Sequence, residues 1–183
     1  MSYLDILLLA ILSGEPAHGY EIRQKVERVL SGAVSLNPNV LYPALHRFEA
    51  MRALDKTVEP QRGRPPRHVY RMTEQGHEVL HELLVDFGPA EAVSEAEFKT
   101  RVAHFHLLDT GERLEILGAR QTALDAMLGR LAGFAREELP GTWAATVRAQ
   151  TIQQTELERS WVGELRQGVI ADAGTDPEQA RLR

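Results

Sequence analysis

The 183-residue chain contains no cysteine, which rules out disulfides, thiolate metal sites and a cysteine nucleophile, and suits a reducing cytoplasm. It also lacks a long apolar run. The stretch from Ile6 to Leu12 is too short to span a bilayer, and the first Lys or Arg is Arg23, so the basic segment that opens a signal peptide is missing. These absences describe a soluble cytoplasmic protein with no membrane partner. There is no glycine-rich phosphate cradle and no G-x-S-x-G elbow. The carboxylates lie three or four residues from arginines along helices, as on a solvated surface. No catalytic residue and no cofactor is expected, and the chain does not read as an enzyme. Positive charge is scarce as well: 21 Lys and Arg stand against 26 Asp and Glu, a net charge of −5. A phosphate-binding surface must therefore be local.

Such a surface exists. Between Ala44 and Arg71 there are seven Lys and Arg against three acids, a local +4, whereas residues 91–183 hold 11 basic and 15 acidic side chains, a net −4. The basic stretch includes Arg62-Gly63-Arg64-Pro65-Pro66-Arg67, a stiff turn whose prolines reduce the entropic cost of setting Arg62, Arg64 and Arg67 against phosphates or in a minor groove.

The elements around this turn follow from capping residues and apolar periodicity. A buried helix is predicted from Tyr3 to about Ser13, with Ser2 and Asp5 as a capping box and Gly14 as its stop. A second helix begins near His18, carries the stripe Ile22, Val26, Val29 and Leu30, and ends at Ser31-Gly32. A third starts at Asn37-Pro38, an N-cap followed by proline at the first helical position. It turns Leu41, Leu45 and Phe48 inward and offers Asn39, Tyr42, Pro43, His46 and Arg47 on the opposite face. Strands are expected at 53–58 and 68–72, joined by a nine-residue tip, and Thr73 caps a helix bearing Val79, Leu80, Leu83, Leu84 and Phe87. Three helices, a hairpin and a helix make a winged helix-turn-helix over residues 1–87.

Gly88-Pro89-Ala90 opens a linker, residues 88–93, ahead of a helical domain at 94–168 and a frayed tail at 169–183. The helical domain begins with a Ser94/Glu97 capping box and a helix to about Leu108. A long helix then carries Leu114, Leu117, Gln121, Leu124, Leu128, Leu131 and Ala135 at heptad spacing. After Pro140-Gly141, a final helix repeats the spacing with Trp143, Val147, Gln150, Gln154, Leu157, Trp161 and Leu165. The seams either close a bundle within the chain or meet a second copy, and the glutamines either set register or mark where a seam reaches solvent. The fold class is mainly α with a small β-hairpin.

One motif points to different chemistry. His77-Glu78-Val79-Leu80-His81 satisfies the H-E-x-x-H pattern of zinc hydrolases, in which two histidines on one helical face hold the metal, with His104, His106 or Glu97 as a third ligand. Three fixed letters arise readily by chance, and Val79 and Leu80 belong to the packing face, so no metal is assigned here. A winged module that binds proteins rather than DNA is another alternative.

Three segments resemble the successive signatures of PadR-type transcriptional regulators: His18-Gly19-Tyr20-Glu21-Ile22, Leu41-Tyr42-Pro43-Ala44-Leu45-His46-Arg47-Phe48-Glu49, and Gly63-Arg64-Pro65-Pro66-Arg67-His68-Val69-Tyr70-Arg71-Met72-Thr73-Glu74-Gln75-Gly76. The resemblance implies a homodimeric, ligand-responsive regulator, usually a repressor. Its third helix enters the major groove of double-stranded DNA with Asn39, Tyr42, Pro43, His46 and Arg47, while Arg62, Arg64 and Arg67 of the wing hold the flank. It also implies dimerisation through the C-terminal seams (Leu114, Leu117, Leu124, Leu128, Leu131, Trp143, Val147, Leu157, Trp161 and Leu165). Two-fold symmetry then calls for an inverted-repeat operator. A small-molecule effector is expected where the winged domain meets these helices, lined by Trp143 and Trp161. Two departures stand out: Arg52 replaces the family's usual glycine after the third helix, and Asn37-Pro38-Asn39-Val40 replaces small polar residues at its start.

Overall fold

A computed structural model describes residues 2–29, 37–61, 64–134 and 142–175. They form two compact units, Met1–Asp86 and Phe87–Arg183.

In the first unit, α1 (Tyr3–Gly14) is apolar on most sides because it is the central helix, burying Ile6, Leu7, Leu8, Leu9 and Leu12. Asp5 begins it by accepting the Ser2 backbone N–H at 2.9 Å. A two-residue strand β1 (Ala17–His18), which sequence periodicity does not reveal, leads into α2 (Gly19–Val29). The expected end of α2 at Ser31-Gly32, and Leu30 of its stripe, lie outside the described residues. Asn37 caps α3 (Pro38–Ala50) by accepting the Asn39 N–H at 2.9 Å. Leu41, Ala44, Leu45 and Phe48 are buried beneath it, the burial of a side chain as large as Phe48 being worth roughly 1.5–3 kcal/mol.

The end of α3 explains Arg52. The Ala53 N–H reaches Phe48 O (2.9 Å) and the Arg52 N–H reaches Glu49 O (3.0 Å), the crossed pair of a Schellman motif. That motif places its terminal residue in the left-handed region, and Arg52 has φ 58°. The turn is kept and the arginine bears the strain. Its carbonyl accepts the Thr73 hydroxyl at 2.6 Å.

Strands β2 (Leu54–Gln61) and β3 (Arg64–Met72) are longer than the apolar runs suggest, so most of the expected nine-residue tip lies within the two strands. Their antiparallel register runs from Leu54↔Met72 to Gln61↔Arg64, with an irregularity between Glu59 and Gln61. Bulges and unpaired edges are where proline, which has no N–H to give, is tolerated. Pro60 lies at the irregularity, and Pro65 and Pro66 lie beyond the reach of β1, which pairs only with Tyr70 and Val69. The sheet order is β1-β3-β2. Thr73 caps α4 (Glu74–Val85) by accepting the Gly76 N–H at 3.0 Å. A Cβ on Gly76 would lie 2.2 Å from Ala53 O, so the backbones meet where only glycine fits.

In the second unit, the stretch expected to be a linker holds a short helix, α5 (Pro89–Ala92), which packs on α7 (Thr110–Phe134) and buries Ala92. Helix α6 (Glu95–Ala103), capped by the Ser94 hydroxyl, stops five residues before the expected Leu108, and a 3-10 turn (Phe105–Leu107) follows. Asp109 and Glu112 cap α7 reciprocally, each backbone N–H reaching the other's carboxylate at 2.8 Å. Helix α8 (Trp143–Thr175) forms a hairpin with α7 and runs through Gly168, so residues 169–175 are helical where a frayed tail was expected. Ala135, the Pro140-Gly141 turn and the tail beyond 175 lie outside the described residues.

The hairpin closes through only part of the expected seams. On α7, Leu117 and Leu124 are buried and Leu114, Leu128 and Leu131 half-buried. On α8 the inward face is Thr151, Thr155, Glu158 and Val162, one position round from the series Gln150, Gln154, Leu157 and Trp161. Arg120 meets this face: its guanidinium donates twice to Glu158 Oε1 (2.6 and 2.9 Å) and once to Ala92 O (2.7 Å), and lies 5.5 Å from the Phe98 ring centre. A buried cation needs such partners, and its partner Glu158 stands on that inward side of α8. Trp143, Val147 and Leu157 are left 87%, 66% and 74% exposed. Trp161 and Leu165 are half-buried, Trp161 packing edge-on against Phe98 at 5.8 Å. Among the described residues no helix is long and apolar enough to cross a membrane.

Candidate nucleic-acid interface

The outer face of α3 presents Asn39, Tyr42, Pro43, His46 and Arg47, all exposed, over its buried face. Pro43 inside the helix has no N–H to return to Asn39 O, so that carbonyl keeps a lone pair on the outer surface. Tyr42 lies over the start of α2, where a Cβ on Gly19 would meet its ring at 3.1 Å.

Arg47 is not a free groove-facing cation. Its guanidinium bonds to Asp5, 42 residues earlier at the start of α1, and lies 5.1 Å from the Phe48 ring centre. Asp5 thus caps α1 with one oxygen and holds α3 with the other.

Glu49 makes a second junction. Its Oε2 takes the Lys56 ammonium of β2 at 3.1 Å and approaches His46 Nδ1 at 3.4 Å. The Lys56 hydrogen bond, helped by His46, holds the Glu49 carboxyl below the usual range. Burial pushes the Tyr70 phenol up, and the Glu49 charge adds to this.

Of the wing residues, Arg62 lies outside the described residues, and Arg64 is described by its backbone in β3. Arg67 is exposed and stands opposite Glu59 in the register. A groove of about 510 Å3 runs between α3, the start of α2 and β3, lined by His18, Tyr20, Gln24, Tyr42, Arg67 and His68 among others. It brings one recognition-helix residue and one wing residue together. His18, Tyr20, Gln24 and His68 were not singled out from periodicity, although His18 and Tyr20 stand in the first family-like segment and His68 in the third.

The H-E-x-x-H segment lies on α4 with His77 and His81 exposed and Val79 and Leu80 buried. Among the described residues no three His, Asp or Glu side chains gather to hold a metal ion.

A three-helix domain whose third helix keeps an open face, followed by an antiparallel ribbon, defines the winged helix-turn-helix class. Within that class, residues 8–82 match the Transcriptional regulator PadR-like family. Transcriptional regulator YqjI of Escherichia coli (strain K12) is 30% identical over 79 residues, covering 43% of this chain and 36% of that protein. The match spans about a third of the length of the curated relatives. Among solved structures, Bacillus subtilis PadR in complex with operator DNA is 18% identical, with 91% of this chain and 98% of that chain covered and a TM-score of 0.44. The protein smu.1604c from Streptococcus mutans UA159 is 23% identical, with 87% and 96% covered and a TM-score of 0.41.

Proposed function

We propose that this chain is a DNA-binding transcriptional regulator, acting as a repressor, that holds an inverted-repeat operator as a homodimer and answers to a small-molecule effector. The observation that carries the reading is the uncovered face of α3, with Asn39, Tyr42, Pro43 and His46 directed away from the core and Tyr42 sharing a groove with Arg67 of the wing. In this scheme α3 selects sequence in the major groove and Arg62, Arg64 and Arg67 anchor phosphates or the minor groove. Arg47 serves first as the strut to Asp5 and only with its remaining surface as a DNA contact.

The exposed stripe of Trp143, Val147 and Leu157 on α8 supports the dimer, because apolar side chains left over after the hairpin closes gain by covering one another. Half-sites are then spaced by about 10 bp or a multiple of it. For the effector, a groove of about 520 Å3 within the second unit, lined by Leu124, Met127, Leu157, Trp161, Lys99 and Gln154 among others, favours Trp161 over the open Trp143 as a lining residue. A ligand acts by favouring a dimer whose recognition helices no longer match the half-site spacing.

The test is a gel-shift titration against duplex from the chain's own upstream region at several salt concentrations. Arg64→Ala with Arg67→Ala should weaken binding on every sequence and flatten the log–log salt slope by about one unit per lost phosphate contact. Unchanged affinity and slope would remove the wing from the mechanism.

A further inference from the structure

We propose that Glu49 is a specificity-positioning residue: it holds the His46 imidazole with Nδ1 protonated, so that Nε2 offers a lone pair to the major groove and selects a base bearing an exocyclic amine. The inference rests on the DNA-binding reading of α3. A carboxylate accepts hydrogen bonds and cannot donate them, and a neutral imidazole carries one N–H. The ring nitrogen facing Glu49 is Nδ1, at 3.4 Å, so that nitrogen carries the proton and Nε2 is left as an acceptor. Glu49 is fit for this because it is itself anchored. The Lys56 ammonium holds the same oxygen at 3.1 Å from β2, so the carboxylate stays in place while His46 remains exposed.

In the major groove the donors are adenine N6 and cytosine N4, whereas guanine and thymine present acceptors at the equivalent positions. An Nε2 lone pair thus accepts from adenine or cytosine and opposes the O6 and N7 of guanine or the O4 of thymine. Without Glu49, either tautomer is available and Nε2 can donate or accept. Glu49 therefore governs which base His46 reads without touching DNA.

The experiment uses the full chain and a randomised duplex library, selected at about pH 8, well above the reference histidine pKa, followed by affinities for duplexes that differ at one base pair. Circular dichroism verifies that each variant is folded. The wild-type chain should show a base pair at which adenine or cytosine on the contacted strand is preferred by roughly two- to tenfold, the range of one hydrogen bond. Glu49→Ala and His46→Ala should each bring that preference close to parity, and Glu49→Ala in the His46→Ala background should change nothing further there. A merely structural role for Glu49 would lower affinity evenly on all duplexes and leave the preference intact, overturning the proposal. So would selection of guanine or thymine at the base pair that responds to His46. A chain that binds no duplex at any salt concentration overturns the DNA-binding reading itself, whereas specific binding insensitive to His46 and Glu49 overturns only this inference.

Discussion

Each unit holds a tie between an arginine and a carboxylate far apart in sequence, and the two arginines differ in exposure. Arg47 reaches Asp5 in the winged unit with its side chain 43% exposed, whereas Arg120 reaches Glu158 in the helical unit at 4%. The exposed tie lies on the helix that faces outward, where water can take over part of its work. The buried one has no substitute: three donors, a carboxylate and a backbone carbonyl satisfy each other in the core. Burial separates a strut that can also meet a partner from one that is purely internal. Truncating each arginine tests the contrast. Arg120→Ala should cost about 3 kcal/mol or more, because Glu158 and Ala92 O are left without their donor, and Arg47→Ala about 1–2 kcal/mol, because Asp5, itself only 9% exposed, keeps the Ser2 N–H while water reaches the place the guanidinium leaves. Urea unfolding of the full chain measures both, and equal losses would remove the distinction.

The units also differ in the kind of contact that joins their elements. The helical unit carries a buried side-chain tie, whereas the winged unit adds a close approach of two backbones, α4 against the turn before β2. Gly76→Ala forces a methyl group to within 2.2 Å of Ala53 O, which must move. About 1–3 kcal/mol is expected from overpacking. Hydrogen exchange should show the loss at 52–54 and 73–77 with the α7–α8 hairpin unaffected, and spread across both units would mean that they unfold together.

This difference explains how much was legible. Caps at Asn37, Thr73 and Ser94 act over two or three residues and could be read directly, as could the buried stripes of α1, α3 and α4. Strand β1 could not, since its two residues pair with partners some fifty positions away. Pro60, Pro65 and Pro66 mimic a loop while occupying the positions a ribbon tolerates, so the apolar runs understate the hairpin. Helix α8 was read short because Gly168 suggested a stop, yet it is exposed and no Cβ would meet anything within 4 Å there. The outer face of α3 was visible from periodicity. The engagement of Arg47 by Asp5 was not, and neither was the buried Arg120 bonded to Glu158 on the inward face of α8.

A smaller effect concerns Arg52. The Schellman turn requires a left-handed residue, which glycine adopts without steric cost. Arg52→Gly should stabilise the winged unit by about 0.5–1 kcal/mol, the relief of backbone strain less the extra freedom of the unfolded chain. Denaturant midpoints read this directly. A loss of stability would mean that the arginine side chain contributes more than its backbone costs.

The smallest effect compares two carboxylates, half-buried Glu49 and exposed Glu95. Glu49 and Glu95 are both held below the ordinary value of 4.5, chiefly by a hydrogen bond from a lysine: Lys56 for Glu49 and Lys99 for Glu95. A carboxyl whose folded value is depressed contributes stability that is present above about pH 4.5 and is lost as the pH falls through the folded value. Both ties therefore weaken on acidification, but they join different things. Lys99 lies one turn along the same helix as Glu95, while Lys56 comes from another element, so the Glu49 tie holds the C-terminal part of α3 to β2. Following both carboxyl groups by NMR through an acid titration separates them. Lys56→Met should raise the Glu49 midpoint toward 4.5 and leave Glu95 unmoved, Lys99→Met should do the reverse, and only the first should shift resonances on both α3 and β2. If Lys56→Met leaves the β2 resonances in place, the contact binds a side chain without joining the two elements.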